Sequence, residues 1–169
     1  YPEKVFFDDK EAKFDKVLQN TFKGKMVNTS SLSKDENLRI ITVYSDTDPG
    51  SYYLWDETKR SIVPLGNRIS AFDTKILSPM KPFEFKSRDG LTLHGYITIP
   101  KGSEGKNVPL IINPHGGPFG VRDQWGYNPD TQFLASRGYA VVQVNFRGSG
   151  GYGRAFEQAG YGGKWGHEM

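Results

Sequence analysis

Leu110-Ile111-Ile112-Asn113-Pro114-His115-Gly116-Gly117-Pro118 is the stretch on which the fold turns. Its first three residues form a short, uninterrupted apolar run, the pattern of a strand buried on both faces. The glycine pair that follows marks a loop in which backbone N–H groups approach a ligand oxygen with no Cβ in the way. Pro118 has no N–H, so only Gly116 or Gly117 donates from the pair. Downstream, Asn128 suits a helix cap with Pro129 at the first helical position. Phe133 and Leu134 supply an apolar stripe, and Gly138 a stop. Tyr139 to Phe146 is a second, nearly continuous apolar strand. Strand, helix, strand in this length predicts a parallel unit with a right-handed crossover.

Moving toward the N-terminus, Leu91, Leu93, Gly95, Ile97 and Ile99 alternate with Thr92, His94, Tyr96 and Thr98. With Phe83 and Phe85 before the Arg88-Asp89-Gly90 turn, this predicts a β-hairpin with one buried face. Residues 66–82 lack periodicity and read as a linker. Before them, 38–44, 52–55 and 60–65 read as three short strands, with turns at Ser45–Gly50 and Asp56–Lys59. Such a meander suits part of a propeller blade. Residues 10–22 carry Phe14, Val17, Leu18 and Phe22 at helical spacing, which fits a short amphipathic helix or a solvated connector. The expected organisation is a propeller-like part over 1–78 and an α/β part over 79–169.

The 169 residues carry a net charge of +3, from 22 basic and 19 acidic residues with interleaved signs, and no cysteine. No basic block stands apart from acids, so no nucleic-acid surface is expected. Thiolate catalysis, disulfides and cysteine zinc sites are excluded. No apolar run is long enough to span a bilayer, so no membrane partner is expected. The start, Tyr1-Pro2-Glu3-Lys4-Val5-Phe6-Phe7, reads like mid-protein sequence, and the compartment stays open.

Several motifs compete for a functional reading. His115-Gly116-Gly117-Pro118 between a strand and a helix fits the loop that lends an N–H to an oxyanion hole in α/β-hydrolases. His115 comes too early for a catalytic base, because such triads run Ser, then acid, then His. A ring that hydrogen-bonds to hold the loop is the better role. Gly148-Ser149-Gly150-Gly151-Tyr152-Gly153 matches a dinucleotide fingerprint, but its strand is not the first of a parallel unit and glycines soon interrupt the helix. A flexible loop is the better reading. A nucleophile elbow needs G-x-S-x-G, and Arg147 stands two residues before Ser149. No serine of the chain meets the rule. Asp46, Asp48 and Glu57 fail the calcium-loop pattern, Asn28-Thr29-Ser30 is a glycosylation triplet of a kind frequent by chance, and His167-Glu168 begins but does not complete a zinc motif. No metal and no cofactor are assigned.

As a set, these residues resemble the S9 prolyl-oligopeptidase family of serine peptidases, especially its acylaminoacyl-peptidase-like branch. The likeness rests on Ser45-Asp46 through Tyr52-Tyr53-Leu54-Trp55-Asp56, on Phe85 to Leu91 with Gly95-Tyr96, on Asn113 to Pro118, and on Asn145-Phe146-Arg147-Gly148-Ser149 with Gly151-Tyr152-Gly153. It covers roughly residues 36–169. The resemblance implies the last segment of a β-propeller followed by the first part of an α/β-hydrolase sheet. It further implies cleavage of short peptides through an acyl-enzyme. Gly117, or Gly116, would donate to the oxyanion. His115, Pro118 and Arg147 would support the loop, and Phe119, Trp125 and Tyr127 would line the substrate cleft.

The expected reading is therefore an internal fragment that holds the oxyanion loop but neither nucleophile, acid nor base, and that is inactive alone. Its partners would be a short peptide in the full-length enzyme, and the remainder of that enzyme or a second copy. An esterase fragment, a non-catalytic binding module and a nucleotide-binding protein are the competing readings. The propeller-like strands disfavour the esterase.

Overall fold

The computed structural model describes residues 4–70, 73–117 and 119–163. Pro118 and the His167-Glu168 pair, both considered above, lie outside these residues. The chain divides into two units, Tyr1–Thr74 and Lys75–Met169, each described by itself.

The first unit is a helix and an antiparallel meander. Helix α1 runs Asp9–Thr21, with the Asp8 carboxylate capping it by accepting from the N–H groups of Lys10 and Glu11. Strands β1 (Met26–Leu32), β2 (Leu38–Ser45), β3 (Asp48–Asp56) and β4 (Ser61–Asn67) pair in that order. Three of them match the strands expected from the sequence. β1 was not expected, because Asn28-Thr29-Ser30-Ser31 has no apolar alternation and lies on the edge of the sheet. The turn expected over Ser45–Gly50 contracts to Asp46-Thr47, and β3 begins at Asp48. Leu18 of α1 packs with Val27, Ile41 and Val43 of the sheet, and Phe14, Phe22, Tyr53, Trp55 and Ile62 surround them. Fully burying a side chain such as Leu18, Val27, Ile41 or Val43 contributes about 1.5–3 kcal/mol. Arg39 is 4% exposed and forks onto Glu11 at 2.7 and 2.8 Å, beneath the Phe14 ring. That pairing holds the Glu11 carboxyl below its usual value and the guanidinium above its own.

The second unit contains strands β5 (Met80–Lys86), β6 (Thr92–Thr98), β7 (Leu110–Ile112) and β8 (Ala140–Asn145), with α2 (Pro129–Ser136) and α3 (Arg154–Gln158). The sheet order is β5-β6-β8-β7. β8 is antiparallel to β6 and parallel to β7, so the expected parallel unit is present. Gly95 in β6 is required: an added Cβ would meet the Gln143 carbonyl at 2.4 Å and the Phe83 ring at 2.9 Å.

Three expectations are corrected. β6 buries Tyr96 and Thr98 as well as Leu93 and Gly95, because it runs inside the sheet and both faces are partly covered. α2 starts as expected, with Asn128 accepting from the Thr131 N–H and Pro129 first, but it buries Thr131, Gln132 and Ala135. Phe133 is 59% exposed. The helix is seated by polar bonds: Thr131 Oγ1 donates to Gln143, and Gln132 exchanges hydrogen bonds with the backbone of Ser78. Finally, β7 is not covered on both faces, with Leu110 57% and Ile112 65% exposed.

Candidate active site

Because β7 and β8 run parallel, the loops that follow them, 113–121 and 146–153, leave the same end of the sheet. β6 is antiparallel to β8, so the β5–β6 turn at 87–91 arrives at that end too. Three loops therefore meet there, and the sequence singled out residues in each.

His115 is the hinge of the first loop. Its ring stacks on Phe146, the centroids 4.4 Å apart and the planes 15° from parallel. Nδ1 lies 2.7 Å from the Gly116 carbonyl and Nε2 2.8 Å from Ser149 Oγ. A carbonyl only accepts, so Nδ1 carries the proton and, in the neutral ring, Nε2 accepts from the Ser149 hydroxyl. The Ser149–His115 distance is that of a nucleophile–base pair. Ser149 is 0% exposed, however, and the third partner is a neutral amide carbonyl rather than a carboxylate. The pair ties the 113–121 loop to the 146–153 loop through the His115 ring.

Gly116 and Gly117 are exposed, and among the described residues neither N–H has a hydrogen-bond partner. Gly117 has φ +147°, a conformation that disfavours a side chain. Past the pair the chain is fixed again: Gly120 N–H donates to the Gly148 carbonyl at 3.0 Å, and Gly150 N–H to that of Val121 at 3.1 Å. Two unbonded, exposed N–H groups thus lie between the His115 contacts and the backbone bonds of Gly120 and Val121.

Arg147 is 5% exposed, and its Nη2 donates to Asp89 at 2.8 Å, clamping the β5–β6 turn to the end of β8. The Ser87 hydroxyl and the guanidinium together hold the Asp89 carboxyl down at about 2. Asp123 lies inside a polar cluster. Its N–H donates to the Asn145 side chain at 2.7 Å, its Oδ1 accepts from Gln143 at 2.7 Å, and Asn145 also donates to the Tyr152 hydroxyl at 2.7 Å. Burial raises the Asp123 carboxyl above its ordinary value, against the nearby His115 and the Gln143 hydrogen bond. From the sequence alone Asp123 and Gln143 have no assigned role, and Asn145 has only a place in the family-like motif. For Gln143 and Asn145 the signal was two amides at alternate positions of an otherwise apolar strand.

Of the residues expected to line a cleft, Phe119 is 39% exposed and sits edge-on to Tyr161, and Tyr127 is half-buried. Trp125 is 7% exposed, with its indole N–H donating to the Met80 carbonyl at 3.1 Å. It packs inside the second unit rather than presenting a face. Pro118 lies outside the described residues. Among the described residues, no group of His, Asp and Glu is arranged to hold a metal ion, and no helix is long and apolar enough to cross a membrane.

A strand–glycine-loop–helix–strand unit on a mixed sheet, preceded by an antiparallel meander, defines the opening of an α/β-hydrolase sheet attached to a propeller-like segment. Comparison with known proteins agrees. The sequence profile of the prolyl oligopeptidase family matches residues 125–169. Dipeptidyl aminopeptidase BIII of Pseudoxanthomonas mexicana is 39% identical over 150 residues, covering 85% of this chain and 21% of that protein. The acylaminoacyl peptidase of Pyrococcus horikoshii superposes with a TM-score of 0.59 at 33% identity, over 80% of this chain and 21% of its own. An acylaminoacyl peptidase solved with Z-Gly-Gly-Phe-chloromethyl ketone superposes at 0.55 with 31% identity, over 76% of this chain and 20% of its own. This chain belongs to the prolyl oligopeptidase family, and it spans 21% of the length of the first two of these proteins.

Proposed function

We propose that this chain provides the oxyanion-binding loop of a serine peptidase that cleaves short peptides or acyl-peptides through an acyl-enzyme. The observation that carries the reading is the pair of unbonded, exposed N–H groups at Gly116 and Gly117, held between fixed points at the end of parallel strands. In such a reaction a serine oxygen attacks the peptide carbonyl. The carbonyl oxygen gains negative charge, and N–H dipoles already aimed at it lower the barrier without reorganising. His115 orients the loop and is not a base. Arg147 and Asp89 hold the neighbouring turn, and Phe119 and Tyr127 flank the peptide. The attacking serine and its acid and base belong to sequence other than residues 1–169, since no serine here meets the nucleophile-elbow pattern. The peptide inhibitor in one related structure supports a peptide substrate.

The test compares the whole protein with a polypeptide of residues 1–169. The whole protein is expected to turn over a chromogenic acyl-peptide and to lose that activity to a fluorophosphonate. The 169-residue polypeptide is expected to match a buffer blank. Fluorophosphonate-sensitive turnover by the short polypeptide, or none by the whole protein, contradicts the proposal.

A further inference from the structure

The Gly116–Gly117 pair can hold two donors in place only if the flanking chain does not move, because glycine has the greatest backbone freedom of any residue. On the downstream side the anchor is backbone: two hydrogen bonds join 120–121 to 148–150, and a Cβ at Gly150 would sit 2.4 Å from the Gly120 carbonyl oxygen. On the upstream side the anchor is the His115 ring. Stacking on Phe146 fixes the plane of that ring but not which of its edges faces the Gly116 carbonyl. A flipped ring would present carbon where Nδ1 now donates, and Gly116 would lose its restraint. The Ser149 hydroxyl decides the orientation, since its 2.8 Å bond to Nε2 is satisfied by one ring orientation only. Ser149 is itself held, fully buried, with its N–H donating to the Phe146 carbonyl at 3.0 Å.

We propose that Ser149 is a positioning residue: through His115 it fixes the peptide plane of Gly116, and so the aim of the adjoining N–H donors at the oxyanion. This rests on the peptidase reading above. It also gives the glycine-rich stretch 148–153 a role, as the fixed seat against which the oxyanion loop is set.

The experiment uses the whole protein. kcat and KM for an acyl-peptide are measured per active site titrated with a fluorophosphonate, for Ser149→Ala, His115→Gln and the double variant. Affinity for a peptidyl aldehyde, which forms a tetrahedral oxyanion, is measured alongside. Misplacing a reacting geometry by an ångström costs up to about a hundredfold, so kcat of Ser149→Ala is expected to fall about ten- to a hundredfold. Aldehyde affinity should fall in parallel while KM stays near the parent value. The double variant should lose no more than the worse single one, because both break one bond. Unchanged kcat per titrated site with only a lower melting temperature overturns the proposal, as does an additive double variant. Should Ser149→Ala not fold, Ser149→Cys, with a weaker donor of similar shape, decides. An intermediate kcat supports the lock and a parental kcat overturns it. An unsubstituted protein without fluorophosphonate-sensitive turnover sinks the peptidase reading and this proposal together, whereas an active parent with an unimpaired Ser149→Ala sinks the lock alone.

Discussion

Gly116 and Gly117 are adjacent, yet their backbones make different demands. At Gly116 an added Cβ meets nothing within 4 Å, and φ is not positive. At Gly117 the backbone has φ +147°, and the Cβ would press on the Phe119 N–H at 3.3 Å and on Val121 at 3.4 Å. In the whole enzyme Gly117→Ala is therefore expected to lower kcat about ten- to a hundredfold, short of or equal to the loss of one oxyanion donor. Gly116→Ala is expected to keep near-parental kcat, and equal kcat in the two variants would refute this distinction. Gly117→Pro is a less clean probe, since proline fixes φ near −65° and distorts the loop as well as removing the donor. A second residue-level expectation concerns Asp89. Its folded-state carboxyl is held at about 2 against an ordinary 3.8, by the Ser87 hydroxyl first and Arg147 second. A carboxyl with a depressed value stabilises the fold above its unfolded value and loses that contribution as pH falls through the folded one. Thermal melts between pH 5 and pH 2 should show the parent losing more stability than Asp89→Asn over the acid end of that range. Parallel curves would mean the clamp contributes nothing.

Among the elements, β7 carries the sharpest consequence. Among the described residues it pairs with β8 alone, and Leu110 and Ile112 on it are more than half exposed. An unpaired apolar edge recruits further strands. A polypeptide of residues 1–169 is therefore expected to self-associate, which light scattering coupled to size exclusion at several concentrations would show. A sharp monomer, independent of concentration and melting cooperatively, would count against this. The elements also show what the sequence made legible. α2 could be placed because Asn128, Pro129 and Gly138 are local signals whose physics does not depend on the rest of the chain. Its buried face could not, since Thr131 and Gln132 look like surface residues until Gln143 and Ser78 arrive to bond them. β1 escaped for a related reason: a polar edge strand has no alternation to read.

For the whole molecule, the loop and its glycines were legible because they follow a short apolar strand and precede a capped helix. Ser149 was not, because its role exists only once two loops far apart in sequence leave the same end of the sheet. The burial of Trp125 was not legible either, because nothing in the local sequence reveals the Met80 carbonyl that receives its N–H. The 115–121 loop is proposed to bind a developing oxyanion. The most direct measurement is a crystal structure of the whole protein with a peptidyl aldehyde bound to its nucleophilic serine. The tetrahedral oxygen is predicted to lie about 2.7–3.1 Å from the N–H of Gly117 or Gly116, with His115 still bonded to Ser149. A tetrahedral oxygen stabilised by other donors, with this loop turned away from it, would contradict the account.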